Sequence, residues 1–127
     1  MKSQIIKMLL LTTAIILSTT ASADTRIVEV WNCKMLDGKT SEQLQSADKA
    51  WLTFMNGKVQ GAGVRTYVMN SVVGDYTGFL SVDSYPSMAA WVQAKAALKT
   101  PEGQAADAAW GSVAECTSNT LYESIES

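Results

Sequence analysis

Histidine is missing from all 127 residues. Its absence removes the conventional Ser-His-Asp and Cys-His nucleophile systems and the usual axial ligand of haem. Cysteine is nearly missing too, with only Cys33 and Cys116. Two thiols without an imidazole make a poor zinc site, because structural zinc takes four nitrogen or sulfur ligands. No metal and no cofactor is expected. Gly57, Gly61 and Gly63 do not stand in the strand–turn–helix order that cradles a phosphate. Basic residues are never clustered, which argues against nucleic acid and anionic lipid as partners.

Long apolar runs are also scarce. The one present, Met8–Leu17 (MLLLTTAIIL), follows Lys2 and Lys7 and precedes Ala21-Ser22-Ala23. A basic start, a short apolar run and a small-x-small site predict a secretory signal peptide over residues 1–23, cut before Asp24. The run is well short of the roughly 20 residues a spanning helix needs. The expected product is therefore periplasmic or secreted, with no membrane attachment after cleavage. Over 24–127, eight basic residues oppose twelve acidic ones, a net charge of −4. That length makes one domain with one modest core. In an oxidising compartment the two cysteines predict a Cys33–Cys116 disulfide. Chain entropy values so long a loop at about 4–5 kcal/mol.

What is present organises itself around Arg26–Lys34 (RIVEVWNCK), a first strand apolar on both faces and so in need of cover on both. Thr40 and Gln43 form a capping box for a helix over about 41–56, with Leu44, Ala47, Trp51, Phe54 and Met55 inward and Asp48 on the opposite, outer face. A β-branched and aromatic run, 64–73, and a second, 79–85, flank a hairpin turn at 74–78. Pro86 suits the start of a second helix carrying Met88, Trp91, Val92 and Leu98. Thr100-Pro101 predicts a break and restart that continues to about Glu115, and 117–125 reads as a last strand. The order β-α-β-β-α-β is that of the ferredoxin-like α+β fold, a four-stranded antiparallel sheet with two helices on one face. There the first and last strands pair, which brings Cys33 and Cys116 together.

Opposing the cysteines, and centring the hairpin on 75–77, sorts the sheet residues into two faces. Val28, Val30, Val68, Val72, Leu80, Val82 and Leu121 form an aliphatic set expected to receive the helices, with Asn32 and Asn70 on the same side. Ile27, Glu29, Trp31, Arg65, Tyr67, Asp83, Tyr85 and Tyr122 form an aromatic, charged set expected to stay open. An apolar open face of this kind marks an interface or a groove.

The chain resembles the dimeric α+β barrel superfamily, with its antibiotic-biosynthesis monooxygenase-type and NIPSNAP-type domains. The resemblance rests on Val28-Glu29-Val30-Trp31, on Asp83–Trp91 (DSYPSMAAW) and on Thr100-Pro101-Glu102-Gly103. It implies a homodimer in which two open sheet faces enclose a barrel, and members range from cofactor-independent oxygenases to haem-degrading enzymes. The missing histidine departs from the haem-degrading pattern.

Glu29, Trp31, Arg65, Tyr67, Asp83 and Tyr122 are the candidate ligand-binding residues. Arg65 would anchor an anion, Glu29 or Asp83 would serve as a base, and the aromatics would stack a planar ligand. The competing reading is an ion-pair group within the interface. Trp51, Trp91 and Trp110 are expected in the core. Three functions fit: an exported dimer binding a small hydrophobic or aromatic molecule, a cofactor-independent monooxygenase acting on an aromatic or polycyclic substrate, and a structural or protein-interaction module.

Overall fold

The structure, a computed structural model, describes residues 24–127. The signal peptide expected over 1–23 lies outside the described residues. Seven elements follow in order: β1 (Thr25–Met35), α1 (Ser41–Lys58), β2 (Arg65–Asn70), β3 (Phe79–Tyr85), α2 (Met88–Leu98), α3 (Pro101–Gly111) and β4 (Ala114–Ile125). The strands form one antiparallel sheet in the order β2-β3-β1-β4, with the helices on one face, which is the ferredoxin-like α+β arrangement.

Local chemistry sets the element ends. Thr40 Oγ1 accepts from the Gln43 amide, and Gln43 Oε1 accepts from the Thr40 amide, closing the capping box of α1. α2 begins at Met88 rather than at Pro86, with Ser87 capping it by accepting from the Ala90 amide. Thr100 caps α3 with Pro101 in its first turn, so the expected break is present. The Asn56 side chain clasps both the amide and the carbonyl of Val64, fixing the glycine-rich turn that delivers the chain to β2.

Cys33 and Cys116 are disulfide-bonded and stand opposite each other where β1 meets β4. The ladder carries an irregularity between Asn32 and Cys33, so Val28 faces Tyr122 and Glu29 faces Leu121, one residue away from the pairing that a regular ladder through the cysteines gives. The hairpin differs as well. β2 ends at Asn70, Asn70 pairs with Phe79, and residues 71–78 form a loop in which Val72 and Val73 are 96% and 92% exposed. Gly78 sits against the Cys33 carbonyl, too close for any side chain, and this contact holds the loop end on β1.

These two shifts reverse the expected faces of β1 and β3. Ile27, Glu29, Trp31, Ser81, Asp83 and Tyr85 point toward the helices. Val28, Val30, Leu80 and Val82 occupy the open face, together with Asn32. Arg65, Tyr67 and Met69 lie on the open face as expected, because the slip in β2 restores their phase, and Tyr122 does so because the ladder irregularity at Asn32 and Cys33 restores that of β4. The core divides into two clusters: Met55, Val59, Val64, Tyr85, Ala90 and Ala94 at one end, and Leu44, Phe79, Val113 and the disulfide end at the other.

Two helical glycines make opposite demands. Gly103 packs against the Ala97 carbonyl and the Leu98 backbone where α3 turns back on α2, whereas Gly57 in α1 faces open space. Gly103→Ala should lower stability by about 1–3 kcal/mol through overpacking. Gly57→Ala should raise it by about 0.5–1 kcal/mol through helix propensity. Urea unfolding of both variants checks the opposed signs.

Candidate functional site

The reversed faces place Glu29, the acidic residue of β1, in the interior. Glu29 is 1% exposed, and an ionised carboxylate there must be matched by donors. Three side chains from two elements supply them. From α2, Lys95 Nζ lies 2.6 Å from Oε2, and Trp91 Nε1 donates to the same oxygen at 3.2 Å. From β4, Asn119 Nδ2 donates to Oε1 at 2.6 Å. The ammonium of Lys95 also stands 5.1 Å from the centre of the Trp31 ring and 5.7 Å from that of Trp91, within cation–π range of both.

Beside this cluster the sheet and the helices do not meet. A cavity of about 320 Å3 opens between them. Its floor is the sheet, with Trp31, Thr66, Ser81 and Asp83. Its walls are Asp48 and Trp51 of α1, Lys95 and Leu98 of α2, and Asp107 and Trp110 of α3. The end near the disulfide is closed by Ala114, Glu115 and Cys116.

Two carboxylates in it are largely withdrawn from water. Asp83, 7% exposed, accepts from Thr66 Oγ1 at 2.9 Å. Burial pushes its carboxyl up to about 7; the Thr66 hydroxyl opposes this rise, Glu29 and Asp48 add to it, and Lys95 reduces it. Asp48 accepts from Trp110 Nε1 at 2.7 Å, and burial raises its carboxyl above the usual range against the effect of that indole. Tyr85, two residues beyond Asp83, is fully buried, and among the described residues its hydroxyl is the buried side-chain polar atom that finds no partner. Burial raises its pKa, and the nearby Asp83 and Glu29 charges act in the same direction.

The six candidate residues are thus divided by the sheet. Glu29, Trp31 and Asp83 are brought together on the helix side, with Trp31 and Asp83 lining the cavity and Glu29 behind it. Arg65, Tyr67 and Tyr122 lie exposed on the other face. The expected grouping of Arg65 with Glu29 and Asp83 does not form, because Lys95 takes the place of Arg65 as the counter-charge of Glu29. Sequence reasoning passed over Asp48, Lys95 and Asn119. A signal for Asp48 existed: Leu44, Asp48, Trp51 and Met55 follow one another at intervals of four, three and four, the period of a single helix face. Trp51 and Trp110, expected as core, are half-buried and border the cavity.

No protein-family model matches the chain, and no curated protein matches it. Solved structures share its fold. SnoaB, a cofactor-independent oxygenase from Streptomyces nogalater, is 12% identical with a TM-score of 0.57, the match covering 80% of this chain and 95% of that one. A protein of Arabidopsis thaliana is 11% identical with a TM-score of 0.53, over 80% of this chain and 95% of its own. At such identity the likeness is one of fold alone, the ferredoxin-like α+β arrangement described above.

The Asp83 environment fixes a pH dependence. The fold keeps this carboxyl protonated up to about 7, while the unfolded chain ionises near 3.8. The unfolded state therefore holds fewer protons between these values, and stability falls as pH rises from about 4 to about 7, with no further loss above. Asp83→Asn removes the titrating group and keeps a partner for Thr66. At pH 8 the variant should exceed the parent by on the order of 2–4 kcal/mol, and by much less at pH 5. Urea midpoints at the two pH values check this; an equal pH effect in both proteins would contradict it.

Proposed function

We propose that this chain is an exported binding protein, a homodimer in which each subunit holds a small aromatic molecule between its sheet and its helices. The observation that carries this reading is the cavity of about 320 Å3, walled by Trp31, Trp51 and Trp110 and supplied with buried carboxylates. Flat apolar walls with a few convergent polar groups are the common make-up of small-molecule sites. Export rests on the leader-like residues 1–23 and the disulfide. A purely structural module has no need of such a space.

The second copy belongs on the open face. β1 is apolar on both sides, and the helices cover one. Val28, Val30, Leu80 and Val82 make an aliphatic centre, rimmed by half-exposed Tyr67, Met69 and Tyr122. Sheet-to-sheet packing of two copies covers this surface without disturbing the cavity. The native protein should sediment as a dimer at micromolar concentration, and Val30→Asp as a monomer with unchanged far-UV circular dichroism. A monomeric parent would overturn the assembly.

Binding should quench tryptophan fluorescence saturably, since three of the four tryptophans border the cavity. The expected result is quenching by one- and two-ring aromatic compounds that is lost on Trp51→Leu and retained on Tyr67→Leu. Equal loss in both variants would move the site to the open face. One observation favours a catalytic reading: a carboxyl near pH 7 is suited to accept a proton from a bound phenol. Oxygen uptake that requires a phenolic ligand and disappears on Asp83→Asn distinguishes an oxygenase from a binding protein.

A further inference from the structure

The charges around the cavity are one-sided. The cation on its wall, Lys95, is held by Glu29, which lies outside the lining, and by the rings of Trp31 and Trp91. Glu115, at the closed end, pairs outward with Lys34 at 2.9 Å. The lining charges left over, Asp48, Asp83 and Asp107, are all acidic. They stand among the indoles of Trp51 and Trp110, whose faces carry partial negative charge. The protein already shows what this combination holds: a carboxylate and two indoles enclose the ammonium of Lys95. The cavity repeats that chemistry, and the cation on its wall, Lys95, is already matched by Glu29.

We propose that the cavity takes a small organic cation, an ammonium carried on a single or fused ring, with its charge against Asp48 and Asp83 and its ring between the tryptophans. This rests on the aromatic-binding reading above and names the ligand class. Size sets the limit. At roughly 30 Å3 for each water-sized unit, a cavity of about 320 Å3 admits on the order of ten non-hydrogen atoms. Cation–π attraction strengthens as the charge is withdrawn from water, and the carboxylates of Asp48 and Asp83 that would meet it are themselves buried.

The same groups give binding a pH dependence. Asp83 is faced by Glu29 of β1, the Thr66 hydroxyl of β2, Lys95 of α2 and Asp48 of α1, and the cavity is further bordered by Asp107 of α3 and Glu115 of β4. A bound cation favours the ionised carboxylate. Affinity for a permanently charged ligand therefore rises with pH through about 7, and binding below that pH releases a proton.

The test compares three soluble probes by calorimetry with the intact, oxidised protein: phenyltrimethylammonium, the neutral 2-phenyl-2-propanol, which has nearly the same shape, and benzenesulfonate. At pH 8 the cation should bind at least tenfold more tightly than the alcohol, and the sulfonate not at all. The preference should shrink severalfold at pH 5.5 and vanish in the Asp48→Asn/Asp83→Asn double variant, which still binds the alcohol. Equal or tighter binding of the alcohol or the sulfonate to the parent would overturn the cation assignment and leave aromatic binding standing. Failure of all three up to millimolar concentration would overturn both.

Discussion

The interior depends on one buried carboxylate. Glu29, midway along β1, brings a charge into a core that can hold it only if donors arrive from elsewhere. Lys95 and Trp91 of α2 and Asn119 of β4 are those donors, so satisfying one group fixes a helix and a strand relative to the first strand. Removing a partner leaves an uncompensated charge, which typically costs about 3–5 kcal/mol. Such a network specifies an arrangement more than it strengthens one. It draws α2 down at one point of the sheet, and beside that point the indole and carboxylate side chains leave the cavity open.

The element order, the capping of the first and third helices, the helix restart and the disulfide were all legible in the sequence. Each is written in local chemistry: Thr40 with Gln43, Thr100 with Pro101, and two cysteines that the pairing of the outermost strands must bring together. The facing of the strands was not legible, for a physical reason. Both sides of β1 are apolar enough to be buried, so a period of two cannot say which side meets the helices. The decision lies in the helices. Trp91 and Trp110 bring indole N–H groups that need acceptors when covered, and Glu29 and Asp48 provide them. The sheet face bearing Glu29 therefore turns to the helices that bring Trp91, and the other face, aliphatic at its centre, is left for another apolar surface. The ladder irregularity at Asn32 and the early end of β2 complete the reversal, and neither has a marker in the composition of those strands.

The candidate site was half legible for the same reason. Trp31 and Asp83 are on the cavity, and Glu29 is behind it. Arg65, Tyr67 and Tyr122 were grouped with them by a register that assumed regular ladders. Asp48 was placed outward because a charged residue on an amphipathic helix usually faces solvent. Its position on the Leu44–Trp51–Met55 face has force only once a hydrogen-bond donor is known to await it, and that donor, Trp110, stands 62 residues along the chain.

The pairing of β1 with β4 runs to the outer ends of both, with Thr25 beside Ile125. The described fold therefore begins and finishes at one spot on its surface, and a short bridge there would turn the chain into a closed ring. The loop at 71–78, bare of strand pairing and tipped by two exposed valines, is where such a ring could be reopened without cutting any ladder. In backbone terms the fold is circular, and the place where the polypeptide starts is incidental to it.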